Sequence, residues 1–518
     1  MRAFDQVWFL CVCICGACVG AIGFVVWHHT GGHFSYPLDD TYIHMALARN
    51  LAFHHVWGIT PDAFGAASSS PLYTLLLAVL FKYTGAHLIT PLLINAVAAV
   101  FLLAVLNGAL RSEGLGATAR FVVLLGVIIF TPLPTLVLSG MEHTLQCLFS
   151  FLFIYRICSS QRRLSWDVLL YAFLMCATRY ECLFLVAVAG IILLFQRHIL
   201  VAVALGIAAL LPVVAFGLYS MHMGSYFLPN SILLKSGTGD GIKSFISSIF
   251  VDKLTLSKQG ITGIATQRLL LILPLVYLAF RKVLEPRYRY FLLILTGGVL
   301  LHLCLASTGW FYRYEAYLVL NACMITGICF AKYGASVLRL RPLARLFFIF
   351  TALYLVLPLG LRSSAAFSKA PRACLNIFEQ QYQMGLFLHR YQDTAAVAAN
   401  DIGAISYLSN IHTLDLWGLG NISVARSKRG HYWTPSFLDS LSRASHVRVA
   451  IVYDSWFDTA LLHRWTRVGT WTIPDNVICG DETVSWYTLD PAYADTLRGQ
   501  LQEYGSALPR EVKISYPR

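Results

Sequence analysis

The segment Pro37-Leu38-Asp39-Asp40-Thr41-Tyr42-Ile43-His44 sets two carboxyl groups side by side just after an apolar run. Asp39 can open a helix over Thr41–Phe53, its carboxylate answering free backbone N–H groups. The same acid can instead serve as a general base. A carboxylate at an apolar boundary loses hydration, its pKa rises, and an adjacent like charge pushes it the same way. Five further segments carry polar chemistry. Ser68-Ser69-Ser70-Pro71-Leu72-Tyr73 marks a helix start with Pro at the first helical position, and the free N–H groups there suit an anion. Glu142 and His143 stand beside the end of an apolar run, where ionisable groups are costly and face a cavity or a partner. Arg179 and Glu181 flank a tight turn; they can pair, or Arg179 can offer its forked donors to a phosphate. Lys235 ends the segment Tyr226-Phe227-Leu228-Pro229-Asn230-Ser231-Ile232-Leu233-Leu234-Lys235, as a snorkelling lysine or as a contact for an anionic headgroup. Trp310-Phe311-Tyr312-Arg313-Tyr314 combines interfacial aromatics with one cation.

These segments need elements to hold them, and composition says which. Of 518 residues, 57% are hydrophobic and only 13% charged. A soluble domain carries roughly a quarter charged residues. The chain therefore cannot cover a water-facing surface of its size, which excludes a soluble enzyme and a disordered protein and leaves a multispanning membrane protein. Apolar runs fall at about 7–27, 88–110, 119–137, 142–157, 166–178, 180–196, 199–219, 267–280, 290–307, 315–331 and 345–361, which predicts an α-helical bundle of about eleven spans. The run Pro71–Lys82 is too short to cross and reads as an interfacial or re-entrant helix. The first run lacks a signal-peptide cleavage pattern and is expected to anchor the chain with its N-terminus inside. The net charge of +13 is a topology signal. Arg111, Arg120, Arg156, Arg162, Arg163, Arg197, Arg281, Lys282, Arg287, Arg289, Lys332, Arg339, Arg341 and Arg345 fall in loops on one side, which is then the inside. No nucleic-acid motif and no zinc-type Cys/His spacing occurs, so no nucleic-acid partner and no metal is expected.

Residues 28–87, 220–266 and the tail from Arg362 then lie on the other side. The expected division is a membrane module over 1–361 and an extracytoplasmic α/β domain over 362–518. In the tail, Ala395–Ala399, His412–Leu416 and Val447–Tyr453 read as strands, and Asn400-Asp401-Ile402-Gly403 opens a helix between the first two. Most of the 13 cysteines lie inside apolar runs; Cys374 and Cys479 do not, and they could pair in an oxidising compartment.

The motif order resembles the GT-C superfamily of integral-membrane glycosyltransferases that use polyprenyl-phosphate sugars. The residues that carry this are Asp39-Asp40-x-Tyr42-Ile43, Ser70-Pro71-Leu72, Ser139-Gly140-Met141-Glu142, Arg179-x-Glu181, Leu228-Pro229-Asn230-Ser231 with Lys235, Asn400-Asp401-Ile402-Gly403 and Leu414-Asp415-Leu416-Trp417-Gly418-Leu419. The set is most similar to the bacterial subgroup that includes the mycobacterial terminal arabinofuranosyltransferases. The resemblance implies a multi-pass protein of the bacterial cytoplasmic membrane. It implies a polyprenyl-phosphate sugar donor, a cell-envelope glycan or lipid acceptor, and inversion at the anomeric carbon. Asp39 would be the base and Asp40 the second acid. Arg179, Lys235 and Arg313 would hold the leaving phosphate. His44, Glu142, Glu181 and Asn230 would position sugar hydroxyls. A monophosphate leaving group met by Arg and Lys requires no metal, and no cofactor is expected. A transporter or flippase of lipid-linked glycans, or a structural membrane protein, would share the bundle but would not need the acid pair.

Overall fold

The computed structural model describes residues 5–159, 165–234, 260–335 and 342–517. Lys235, Arg162, Arg163, Arg339 and Arg341 lie outside them. Every apolar run read from the sequence falls on a helix. Among the described residues seven helices are long and apolar enough to cross a membrane, among them Gln6–His29, Thr90–Ser112, Ile199–His222, Pro286–Leu305 and Ala316–Tyr333. The chain is a multi-pass membrane protein. The helix Pro71–Thr84 has 14 residues, short of the ~20 that a crossing needs. One run departs from expectation: residues 119–137 form a helix Ala117–Phe130 and a separate short helix Leu133–Leu138. Pro132 has no N–H to continue the first, and its own backbone is not helical.

The chain divides into two compact units. The first takes in Met1–Ala21, Leu92–Ala215 and Ser236–Ser368. Its centre is apolar, built on Leu102, Leu124, Phe151, Leu185, Leu295 and Leu318. Its charges gather at the two ends of the helices His143–Ser159, Pro286–Leu305 and Ala316–Tyr333. At one end Glu113 is fully buried and accepts from Arg287 Nη2 and Lys332 Nζ, each at 2.8 Å, from Tyr155 Oη at 3.2 Å and from Tyr288 Oη. Glu285 adds a second carboxylate, 2.8 Å from Arg287 Nε.

The second unit takes in Ile22–Pro91, Phe216–Lys235 and Lys369–Arg518. It holds a six-stranded sheet in the order β2-β1-β3-β5-β4-β6. The strands are β1 (Ala396–Ala399), β2 (His412–Asp415), β3 (Val449–Val452), β4 (Thr466–Thr472), β5 (Thr483–Thr488) and β6 (Lys513–Ser515). β1 runs parallel to β2 and β3, while β3, β5, β4 and β6 pair antiparallel. The three strands read from the sequence are the parallel part, and the helix expected between the first two is Gly403–Leu408. Successive residues of β1 and β3 enter opposite apolar layers: Val397, Ala399, Val449 and Ile451 face Phe387, Trp471, Trp486 and Leu501, while Ala398, Ala450 and Val452 face Leu414, Leu438 and Leu461. Both faces of the strands are covered, which is why these strands read as continuous apolar runs.

The Cys374–Cys479 bond is absent, and no disulfide joins any two cysteines. Cys479 Sγ instead lies 3.4 Å from Gln381 Oε1 as a donor, and Cys374 is fully buried on its helix.

Glu113→Ala removes the shared acceptor of two cations and two phenols. Arg287 and Lys332 keep some solvent and keep Glu285, so the expected loss is about 1–3 kcal/mol, below the cost of orphaning a fully buried charge. Thermal melting of the detergent-purified variant checks this.

Candidate functional site

Asp39 begins the helix Asp39–His54, whose N-cap position is Leu38, but the bonds of its carboxylate go to another helix. It accepts instead from Gly403 N–H at 2.7 Å and Ala404 N–H at 2.8 Å, the first turn of the helix Gly403–Leu408. Arg49, on the same helix as Asp39, donates to Tyr407 O at 2.7 Å, Ser406 O at 3.0 Å and Ser409 O at 3.2 Å. One helix thus places a carboxyl group at the N-terminus of its neighbour and a cation at the C-terminus; the macrodipole suits the cation and the ionised form of the acid. A helix of 6 residues is too short to hold itself in water. Gly403 is required at the contact, since a Cβ there would lie 2.1 Å from Asp39 O.

Burial raises the Asp39 carboxyl to about 8, with the charge of Asp401 adding to the rise and the two backbone N–H bonds opposing it. Asp401 is raised by burial too, against hydrogen bonds from Tyr453 and Gln381. Asp40 is half-buried and sits one helical turn before His44. His44 Nδ1 lies 2.9 Å from Thr74 Oγ1, and Nε2 lies 3.4 Å from Ser69 Oγ. Ser70 caps Pro71–Thr84 as its sequence suggests, accepting from Tyr73 N–H. Asn230 is bound to the same serine-rich loop, donating its N–H to Ala66 O at 3.1 Å, and its Nδ2 donates to Leu419 O at 3.3 Å. Asp415 accepts from the N–H groups of Trp417, Gly418 and Gly420 at 2.6–2.9 Å. Lys428 Nζ sits 3.0 Å from the Trp417 ring centre and 4.4 Å from that of Trp433.

In the first unit, Arg179 does pair with Glu181, at 3.1 and 2.5 Å, and also with Glu142 at 2.9 Å. Arg179 and Arg313 both lie against Tyr314, 5.5 and 5.2 Å from its ring centre, and His143 packs on the same ring. The segment before Arg313 is strained. Gly309, Trp310, Phe311 and Tyr312 all have left-handed backbone, with φ of 85, 38, 60 and 61°. For the three non-glycine residues this costs about 1–2 kcal/mol each. A fully buried ion pair holds the turn: Arg362 Nε donates to Glu315 Oε1 at 2.6 Å. Glu315 Oε2 accepts from Gly309 N–H at 2.8 Å, and Arg362 Nη2 donates to Tyr312 O at 2.5 Å.

The sequence-chosen residues therefore collect in two places. Asp39, Asp40, His44 and Asn230 belong to the second unit; Glu142, Arg179, Glu181 and Arg313 belong to the first. Comparison with known proteins identifies the frame that carries them. A family model described as a domain of unknown function (DUF8728) matches residues 375–487. No curated protein matches the chain. The crystal structure of ArnT from Cupriavidus metallidurans bound to undecaprenyl phosphate superposes on 92% of this chain and 98% of its own, with a TM-score of 0.53 at 11% identity. Its apo form gives 0.52 at 11% identity over the same shares. The arabinofuranosyltransferase AftD from mycobacteria gives 0.42 at 14% identity, over 92% of this chain and 41% of its own. This chain has the GT-C fold.

Within the GT-C frame, sequence reasoning missed Arg49, Arg362, Gln381 and Tyr453. The sequence places Arg362 first in the tail; its signal is a lone cation closing the long uncharged run 346–361. Arg362→Met leaves Glu315 buried without its cation, and the expected loss is about 3–5 kcal/mol. Adding Glu315→Gln, which keeps an acceptor for Gly309, should recover part of that. Melting curves of the two variants check both statements.

Proposed function

We propose that this chain is a glycosyltransferase that moves a sugar from a polyprenyl phosphate to a cell-envelope glycan or lipid. The observation that carries the reading is an acid pair, Asp39 and Asp40, opening a helix on a GT-C frame whose solved counterpart binds undecaprenyl phosphate. Two of the roughly four lone-pair positions of the Asp39 carboxylate are used by backbone N–H groups, which leaves it able to take a proton. Asp39 removes the proton of the acceptor hydroxyl. The hydroxyl oxygen attacks the anomeric carbon, the bond from that carbon to the phosphate oxygen breaks, and the configuration inverts. Polyprenyl phosphate leaves, and the proton stays on Asp39. Arg313, Lys235 and Arg179 stabilise charge growing on the phosphate. Arg179 is already matched by two carboxylates, so its first task is to hold Glu142 and Glu181 toward sugar hydroxyls, with His44 and Asn230 serving other hydroxyls.

In this reading the protein sits in the bacterial cytoplasmic membrane with its N-terminus inside and its sheet domain outside. The clustering of Arg287 and Lys332 at one end of the bundle supports that orientation through the positive-inside rule. No metal takes part.

Purified protein in lipid nanodiscs, offered a panel of labelled polyprenyl-phosphate sugars and envelope glycans, is expected to transfer sugar. Asp39→Asn should lower the rate by about 100-fold or more while melting near the wild type, the size of a lost general base. Activity retained there and lost in Asp40→Asn would move the base to Asp40, and no transfer from any donor would sink the proposal. Because a base must be deprotonated to act, the rate should rise with pH through about 8. EDTA should leave transfer unchanged; loss with rescue by a divalent cation would show that a metal is needed.

A further inference from the structure

Asp401 lies just past strand β1, which ends at Ala399, and two residues before Gly403, whose N–H is 2.7 Å from Asp39 Oδ2. Two residues of chain span at most about 7 Å, so Asp401 stands close behind the acid that the proposed mechanism uses. Gln381 and Tyr453 hold it there. Gln381 Nε2 donates to Asp401 Oδ2 at 2.8 Å, and Tyr453 Oη lies 2.6 Å from the same oxygen. Tyr453 N–H donates to Oδ1 of the preceding Asn400 at 2.9 Å. Gln380 and Gln381 come from a π-helical turn, Phe378–Tyr382, inside an otherwise α-helical stretch. Such turns cost regular hydrogen bonds and recur at functional sites.

The proton count of this network is informative. Tyr453 has one hydroxyl proton and two acceptors at 2.6 Å, Asp401 Oδ2 and Gln380 Oε1. When Asp401 is ionised, Tyr453 donates to it, and Gln380 Oε1 still accepts from Gln381 Nε2 at 3.1 Å. When Asp401 is protonated, it donates to the Tyr453 oxygen, and Tyr453 turns its proton to Gln380. Either charge state keeps every group bonded at the cost of one hydroxyl rotation. A purely structural carboxylate would need only the first arrangement.

We propose that Asp401 is a positioning residue for the base: held behind Asp39 by Gln381 and Tyr453, it keeps a second carboxylate near the reacting one and sets the pH range in which that one works. The inference rests on the reading of Asp39 as the base. Among the described residues, the titratable groups that act on Asp39 or feel it are Asp40 and Tyr42 on its own helix, Asp401 on the segment leading into Gly403–Leu408, and Tyr453 and Cys479 from the elements beyond. Asp401 is the group whose charge Tyr453 and Gln381 adjust.

The test is the pH profile of kcat/KM for sugar transfer by the full chain in nanodiscs, in the wild type, Asp401→Asn, Tyr453→Phe and Asp39→Asn. Removing the charge of Asp401 should make Asp39 easier to ionise, so the acid limb of the profile moves to lower pH by about one unit. Tyr453→Phe takes away a hydroxyl that stabilises the Asp401 anion, leaves Asp401 more often neutral, and should move the limb the same way by less. A lower rate with the limb unmoved in both variants, while Asp39→Asn is inactive, would overturn the role of Asp401 and leave the base in place. A wild-type rate in Asp39→Asn would overturn the base itself. If Asp401→Asn fails to fold, Tyr453→Phe alone decides by the same two outcomes.

Discussion

A helix of six residues cannot persist on its own backbone bonds, and the second unit is organised around one that has to persist. Gly403–Leu408 is gripped at its two ends by residues more than 350 positions away, Asp39 and Arg49, borne on a single helix. That grip fixes where Asp39 points. It also dictates glycine at 403, brings Asp401 up behind the acid, and ties the turn after strand β1 to the residues that follow the first apolar helix. Caps of this kind contribute about 0.5–2 kcal/mol each, yet here they also aim a carboxyl group. Stability and chemistry are asked of the same oxygen atoms, and the lone pairs left over are what remain for chemistry.

The first unit meets a different constraint. Its interior is mostly apolar, with a few buried polar side chains such as Gln146, Ser150 and Asn321, and the ion pairs described above lie toward the ends of the helices. Glu113 satisfies two cations at one end. At the other, Arg179 is bracketed by Glu142 and Glu181, and Arg362 by Glu315 and two carbonyls. Three carboxylates and two guanidinium groups therefore ring the aromatic segment Phe311–Tyr314. The strain of its left-handed turn is sustained only because Glu315 and Arg362 bind it from two sides.

Much of the frame was legible because hydrocarbon leaves few options. Long uncharged runs must be helices, and each of them is. The parallel strands were legible for the related reason that strands covered on both faces lose their alternation. β4, β5 and β6 were not read, since polar threonines and charged residues interrupt their apolar pattern. The acid pair was found as adjacent charges at an apolar boundary, but its partner was not. The capping bond runs to backbone N–H groups, which carry no side-chain signature, and 364 residues separate its ends. Arg362 and the Gln381–Tyr453 pair were hidden in the same way, each being ordinary until its distant neighbour is known.

The Glu315–Arg362 pair also bears on how the protein is made. The two residues are 47 positions apart, and the acid is synthesised first. At roughly 5–20 residues per second, Glu315 waits about 2–9 s for its counter-ion to leave the ribosome. The loop Gly309–Tyr312 cannot lock into its left-handed form during that wait, because the guanidinium that binds Tyr312 does not yet exist. The aromatic segment is thus among the last parts of the bundle to mature, and a nascent chain stalled before residue 362 would present it unlocked to quality-control proteases.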